Sequence, residues 1–506
     1  MKRTCWSLAV FAFLVLGAAA VWMGGLNQDE GWYRYAASLV KGGAVPYRDF
    51  FYTQGPLLPV VYSVLAWSWE SWGLLGARLV TLALGTLGLV CAVLLARALV
   101  PRDRRGEVTL LAFMLQGCNL YHLYYLAIPK TYALASLFLL LGFCLLAQVE
   151  REGFPFARLR AVLLAAAGGA LAFAAGARIS LGAALAVVGF GLLIDFRRRR
   201  WDFLWFGLGG ALGLAAVYGP FLLSSAARDG LLAAQRYHAA RSGFDLVWTV
   251  GSLSRLVRWY LPTFIVFGLG VFTWARQQSP RRDEEPANPV GRLLALALLA
   301  VFVLQMLAPF PYEDYQVPLM GGFAALAAAL LVGRGAATAE AAGLRAAAPL
   351  LSLGLCFATA FGCPLLEKWT TNGQDRFWTL KKTRTELAQL RDVARRIETL
   401  DPGGTTLLTQ DLYLAVETRR TVPAGLEMGP FSILTDAQWR ELLARGDCPV
   451  AALSGYTFAI EPPACTERPM GDQLAYWSVL KSKYELAFRE EAFGQNATPL
   501  LVLKRK

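Results

Sequence analysis

Long uncharged apolar runs recur along the chain from residue 5 to residue 364 and then stop. About 20 apolar residues carry a helix across the hydrocarbon core of a bilayer. The runs predict spans at 5–24, 72–99, 107–127, 131–149, 161–177, 181–196, 203–223, 260–275, 293–309, 317–333 and 347–364, about eleven in all. The fold class expected is an α-helical polytopic membrane protein with a small soluble α/β domain at its C-terminus. The boundary falls near Pro364, giving a transmembrane block over 1–364 and a soluble block over 365–506. In the second block, Leu387, Leu390, Ala394 and Ile397 share one face of a predicted helix over 376–400, which Asp401-Pro402-Gly403-Gly404 ends. A strand at 405–410 and a helix near 412–419 follow. Thr435 or Asp436 then caps a helix running to Gly446, and strands are expected at 449–454, 484–489 and 498–504.

Composition agrees with this division. The chain of 506 residues is 56% hydrophobic and 17% charged. A soluble globular chain is nearer 45–50% apolar and about 25% charged. The formal charge of +13 is unevenly placed. One set of alternate loops carries Arg102, Arg104, Arg105, Arg151, Arg158, Arg160, Arg197 to Arg200, Arg276, Arg281 and Arg282; the other set carries about half as many cations. The positive-inside rule then puts the N-terminus in the cytoplasm and residues 365–506 on the extracytoplasmic side of the cell membrane. The basic balance is this bias, and no nucleic-acid partner is read from it. Lys2-Arg3, the apolar stretch and Ala18-Ala19-Ala20 also fit a cleaved signal peptide, which leaves everything downstream in place. The eight cysteines show no metal-ligand spacing. An oxidising compartment would permit, without requiring, a disulfide between Cys448 and Cys465.

The first outer loop, 25–71, carries the densest chemistry. It opens Asn27-Gln28-Asp29-Glu30-Gly31-Trp32-Tyr33, and Trp32, Ala36, Leu39 and Val40 keep helical spacing up to Gly42-Gly43. Asp29 or Asn27 is placed to cap this helix. Short, aromatic and one-sided, it is expected to lie in the membrane interface. A second interfacial helix is expected over 57–69, with Tyr62, Trp67, Trp69 and Trp72 in the headgroup belt. Two adjacent carboxylates here have two readings. Asp29 caps the helix while Glu30 complements its dipole, or one of them is a general base at the bilayer edge.

The loop resembles the first extracytoplasmic loop of the GT-C glycosyltransferases, in the subgroup of protein O-mannosyltransferases and lipid A aminoarabinose transferases. The resemblance rests on five elements in order: Asp29-Glu30, Gly42-Gly43, Pro46-Tyr47-Arg48-Asp49, Gln54-Gly55-Pro56-Leu57, and Arg78 at the head of the second span. It implies an inverting transferase that moves a sugar from a polyprenyl-phosphate donor to a lipid, glycan or protein acceptor on the outer face. It places the base on Asp29, with Glu30 orienting the pair or holding the acceptor. The lipid A branch has Lys where this chain has Gln54, and Asp in the second outer loop where this chain has Lys130. The second departure puts a metal site in doubt. No metal ligand is assigned; no cofactor is certain, and a divalent metal stays open.

A donor phosphodiester calls for Arg or Lys. Arg178, between two runs too close for a real loop, is the first candidate, with Lys130, Arg241, His238 and Gln54 beside it; snorkelling to the headgroups is the other reading of Arg178. The last outer loop, Tyr312-Glu313-Asp314-Tyr315, mixes rings and carboxylates as sugar and acceptor sites do, or anchors the chain at the interface. The C-terminal block shows no catalytic motif and is expected to cover the site or bind the acceptor. The alternative function is a transporter or flippase of lipid-linked sugars, which has no need of the Asp29-Glu30 pair. A non-catalytic envelope scaffold is the third.

Overall fold

Each predicted span lies on helix in the computed structural model, which describes residues 2–150, 157–239, 244–276, 289–308, 310–333, 339–363, 365, 384–432, 436–455 and 479–506. The first helices are α1 (Lys2–Met23), α2 (Gln28–Lys41), α3 (Leu57–Val64), α4 (Trp67–Ala98), α5 (Arg105–Gly117), α6 (Leu120–Ala127), α7 (Thr131–Val149) and α8 (Ala157–Ala177). Then follow α9 (Gly182–Ile194), α10 (Phe196–Leu223), α11 (Ser225–Ala239), α12 (Leu246–Trp259), α13 (Leu261–Arg276), α14 (Pro289–Met306), α15 (Val317–Val332) and α16 (Ala339–Phe361). Among the described residues eight are long and apolar enough to cross a membrane, namely α1, α4, α7, α8, α10, α14, α15 and α16. The chain is a multi-pass membrane protein.

Three predicted spans take another form. The run 181–196 becomes α9, of 13 residues. The run 260–275 becomes α13, which meets α12 at a bend of 83°. The run 107–127 divides into α5 and α6 at Cys118-Asn119. Asn119 causes this break. Its Oδ1 accepts from the His122 backbone N–H at 2.9 Å and so caps α6, and its Nδ2 donates to the Trp259 carbonyl at 2.9 Å. A polar side chain that serves as a cap ends one helix and begins another, whatever the hydropathy of the run.

The first loop is a correction. The interfacial reading of α2 does not hold, because Trp32, Tyr33, Tyr35 and Ala36 are buried. Tyr52 of the same loop packs on Trp32 and Tyr33, and the C-terminal block adds cover, with Phe431 against Trp32 and the Val422 N–H donating to the Tyr35 hydroxyl. A Cβ on Gly31 would lie 2.3 Å from the Tyr413 backbone nitrogen, so only glycine admits this contact. The predicted helix over 57–69 is two helices, α3 and the start of α4, which kinks at Gly73, a residue with φ +61°. Trp67 and Trp72 are exposed as a headgroup belt requires, but Tyr62 and Trp69 are core residues.

In the C-terminal block, α17 (Glu386–Leu400), α18 (Leu412–Glu417) and α19 (Asp436–Arg445) accompany strands β1 (Val450–Ser454), β2 (Tyr484–Phe493) and β3 (Thr498–Arg505). The antiparallel sheet has the order β1-β3-β2. The predicted strand at 405–410 is absent; that segment makes only single bridges, Thr406 with Thr421 and Leu408 with Ala451. It has no neighbour that runs beside it for long enough to form a ladder. Residues 376–383, Thr435 and Cys465 lie outside the described residues, and with them part of the predicted first helix, one cap and the Cys448–Cys465 question. Leu26 and Leu74 share a buried cluster with Leu387, Leu390, Val450 and Val502, so this block and the first loop have a common core.

Candidate functional site

The chain enters α2 through a reciprocal cap. Asn27 Oδ1 accepts from the Asp29 N–H at 3.0 Å, and Glu30 Oε1 accepts from the Asn27 N–H at 3.0 Å. Asn27 is the cap, which leaves the Asp29 side chain free of that task. Glu30 is wholly buried and pairs in fork geometry with Arg78, Nε to Oε2 at 2.8 Å and Nη2 to Oε1 at 2.7 Å. The remaining Arg78 donors meet the carbonyls of Val21, Gly24 and Gly25. With both oxygens engaged and no exposure, Glu30 ties the start of α2 to α4.

Asp29 follows a different course. Consecutive helical positions differ by about 100°, so it faces away from Arg78. Its side chain is 21% exposed, and its Oδ2 lies 2.8 Å from Lys130 Nζ. The same Nζ lies 2.8 Å from Asp314 Oδ2, which also accepts from the Tyr132 hydroxyl at 2.9 Å. The Tyr132 and Tyr125 ring centroids stand 4.9 and 5.5 Å from the ammonium. Lys130 reaches this point from the short connection between α6 and α7, where its extended backbone precedes Thr131. Asp314 reaches it from the single turn Glu313–Gln316 that opens α15. Burial opposes the charge on Lys130, but Asp29 and Asp314 outweigh it and hold the ammonium well above its usual pKa.

Arg178 completes the cluster. It stands just past the end of α8, with its guanidinium over the Tyr315 ring at 4.6 Å and the Tyr132 ring at 5.1 Å. Nη1 reaches Thr131 Oγ1 at 3.4 Å, while Nε is buried without a partner among the described residues. This position, enclosed by rings, does not fit a side chain snorkelling outward. Burial, then the nearby Asp29, raises the pKa of Tyr33, whose environment also includes Lys130 and Arg178. Together Asp29, Asp314, Lys130 and Arg178 form a charge-balanced set drawn from four segments.

The other expected residues divide. A Cβ on Gly55 would lie 2.1 Å from the Gly176 carbonyl oxygen, so the Gln54 turn rests on the chain just before Arg178; the Gln54 carbonyl accepts from the Tyr47 hydroxyl. Glu313 is paired with Arg255 at 3.0 Å, and Tyr312 packs edge-on against Trp248, so both belong to the contact with α12. Arg241 and the side chain of His238 lie outside the described residues. Tyr132 stands at the centre of the site and was not singled out from the sequence. It is two residues from Lys130, but nothing local ties it to Asp314.

A divalent metal does not fit this donor set. Among the described residues no three His, Cys, Asp or Glu side chains come together as metal ligands. The two carboxylates that face each other are already spanned by an ammonium group.

Comparison of the whole chain with solved structures finds the fold of ArnT from Cupriavidus metallidurans. The apo form aligns with TM-score 0.66 at 14% identity, over 99% of this chain and 98% of that one. The form bound to undecaprenyl phosphate aligns with TM-score 0.65 at 14% identity, over 98% and 97%. The oligosaccharyltransferase of Archaeoglobus fulgidus tethered with an acceptor peptide aligns with TM-score 0.55 at 10% identity, over 98% of this chain and 74% of that one. No family model and no curated protein matches the sequence. What the chain shares with these structures, at 10–14% identity, is the fold.

Proposed function

From the GT-C fold and the charge cluster within it, we propose that this chain is an inverting membrane glycosyltransferase using a polyprenyl-phosphate sugar. The observation that carries the reading is a partly exposed carboxylate, Asp29, held by Lys130, in one cluster with a ring-enclosed arginine, Arg178, whose Nε has no partner among the described residues. The similar ArnT structure is one bound to undecaprenyl phosphate.

In this reading Asp29 takes the proton of an acceptor hydroxyl through the carboxylate oxygen that Lys130 does not hold. The acceptor oxygen attacks the anomeric carbon from the face opposite the phosphate. The carbon–oxygen bond to the phosphate breaks, and polyprenyl phosphate leaves with its charge facing Arg178. Lys130, engaged by two carboxylates, organises Asp29 and Asp314, and the phosphate falls to Arg178. Tyr315 offers a ring to the sugar beside it. The C-terminal block closes the site from the α2 side.

Arg178→Ala tests the donor site. A charge-assisted hydrogen bond contributes roughly 1.5–3 kcal/mol, so the apparent KM for a polyprenyl-phosphate sugar is expected to rise about ten- to a hundred-fold. An unchanged KM in the purified variant would remove Arg178 from the donor site.

Orientation is testable separately. The charge bias predicts that the face bearing α17 is extracytoplasmic and the turn holding Asp103 is cytoplasmic. Cysteines placed at the exposed positions Arg395 and Asp103 are read with an impermeant maleimide on intact cells, against the parent background. Labelling at 395 with protection at 103 is expected; the opposite pattern inverts the topology.

A further inference from the structure

We propose that Lys130 is the resident cation of this site. It stands where a divalent ion would otherwise join Asp29 to Asp314, so the site works without a metal. Three observations converge. The ammonium lies 2.8 Å from one oxygen of each carboxylate, and the two acids come from different loops. The rings of Tyr132 and Tyr125 also face it, and they favour a cation and offer a metal no lone pair of the carboxylate kind. A calcium ion sits about 2.3–2.6 Å from carboxylate oxygens. An ion that reached both oxygens would therefore need the space the nitrogen occupies. Lys130 is thus a positioning residue. It neutralises the repulsion between the two acids and holds Asp29 through Oδ2.

The role in sugar transfer rests on the function proposed above, but the cation replacement itself is a binding question. Lys130→Met keeps the length of the stem and removes the charge, leaving two facing carboxylates. Purified parent and variant are melted in EDTA and again with millimolar calcium or manganese. In EDTA the variant is expected to melt below the parent. Either ion is expected to raise the variant's Tm by about 2 °C or more and to leave the parent unmoved. Lys130→Met combined with Asp314→Asn is expected to lose that response. Should Lys130→Met fail to fold, Lys130→Gln, which has no charge, serves in its place. No ion-dependent rise in the single variant, or an equal rise in the parent, overturns the assignment. So does loss of parent turnover in EDTA, in a preparation active before chelation. A parent without turnover under any condition would instead count against the transferase reading, and the melting data would still decide the role of Lys130.

Discussion

Asp29→Asn is expected to give a folded protein whose single-turnover sugar transfer is slower by roughly 10²–10⁴. The variant isolates the chemistry because the structural tasks nearby belong to other residues. Asn27 caps α2, and Glu30 holds Arg78. The carboxamide oxygen can still face Lys130, but it takes no proton at neutral pH. A protein that still folds, somewhat less stable because Lys130 keeps only Asp314 as counter-charge, with transfer lost, is the expected pair of results. Near-parent transfer by Asp29→Asn would sink the assignment of the base. Glu30→Gln is a less simple control than the adjacency of the two acids implies, because it leaves the Arg78 charge buried without its counter-charge. Its effect is expected first in stability and only then in rate.

The second large effect belongs to that pair. Arg78→Met leaves the Glu30 carboxylate buried without its counter-charge and takes the guanidinium donors from the Val21, Gly24 and Gly25 carbonyls at the turn from α1 to α2, of which Gly25 keeps the Tyr124 hydroxyl. Removing one partner of a buried ion pair costs about 3–5 kcal/mol. The purified variant is expected to unfold at a clearly lower temperature, with loss of transfer following from displacement of α2. Replacing both partners, as Glu30→Gln with Arg78→Met, removes the uncompensated charge and is expected to recover part of the loss. An Arg78→Met protein as stable as the parent would mean that this pair does not hold the loop.

Sequence by itself determined what depends on neighbours along the chain. The apolar runs mark every span, because a lipid-facing helix must satisfy its backbone internally and present apolar side chains over its length. Gly42 ends α2 as expected, and the helices and strands after residue 384 fall close to their predicted places, apart from the segment 405–410. Asp29, Lys130, Arg178 and Asp314 were all legible as candidates, because charge at a membrane boundary is unusual enough to be noticed.

The tertiary structure decided how these residues divide their work, because the deciding contacts join positions far apart in the chain. Lys130 and Asp314 are 184 residues apart, and Gln28 meets Asp411 over 383. No local period encodes either pairing. Hydropathy treated α2 as interfacial, since its aromatic face suits headgroups as well as protein; the cover from α18 turns that face into core. It read 107–127 as one span, since a single Asn hardly changes a windowed average; yet the helix breaks where Asn119 caps α6 and bonds the Trp259 carbonyl. Adjacency made Asp29 and Glu30 look like one catalytic pair. The turn of the helix separates them by about 100°, directing one carboxylate to the buried Arg78 and the other to Lys130.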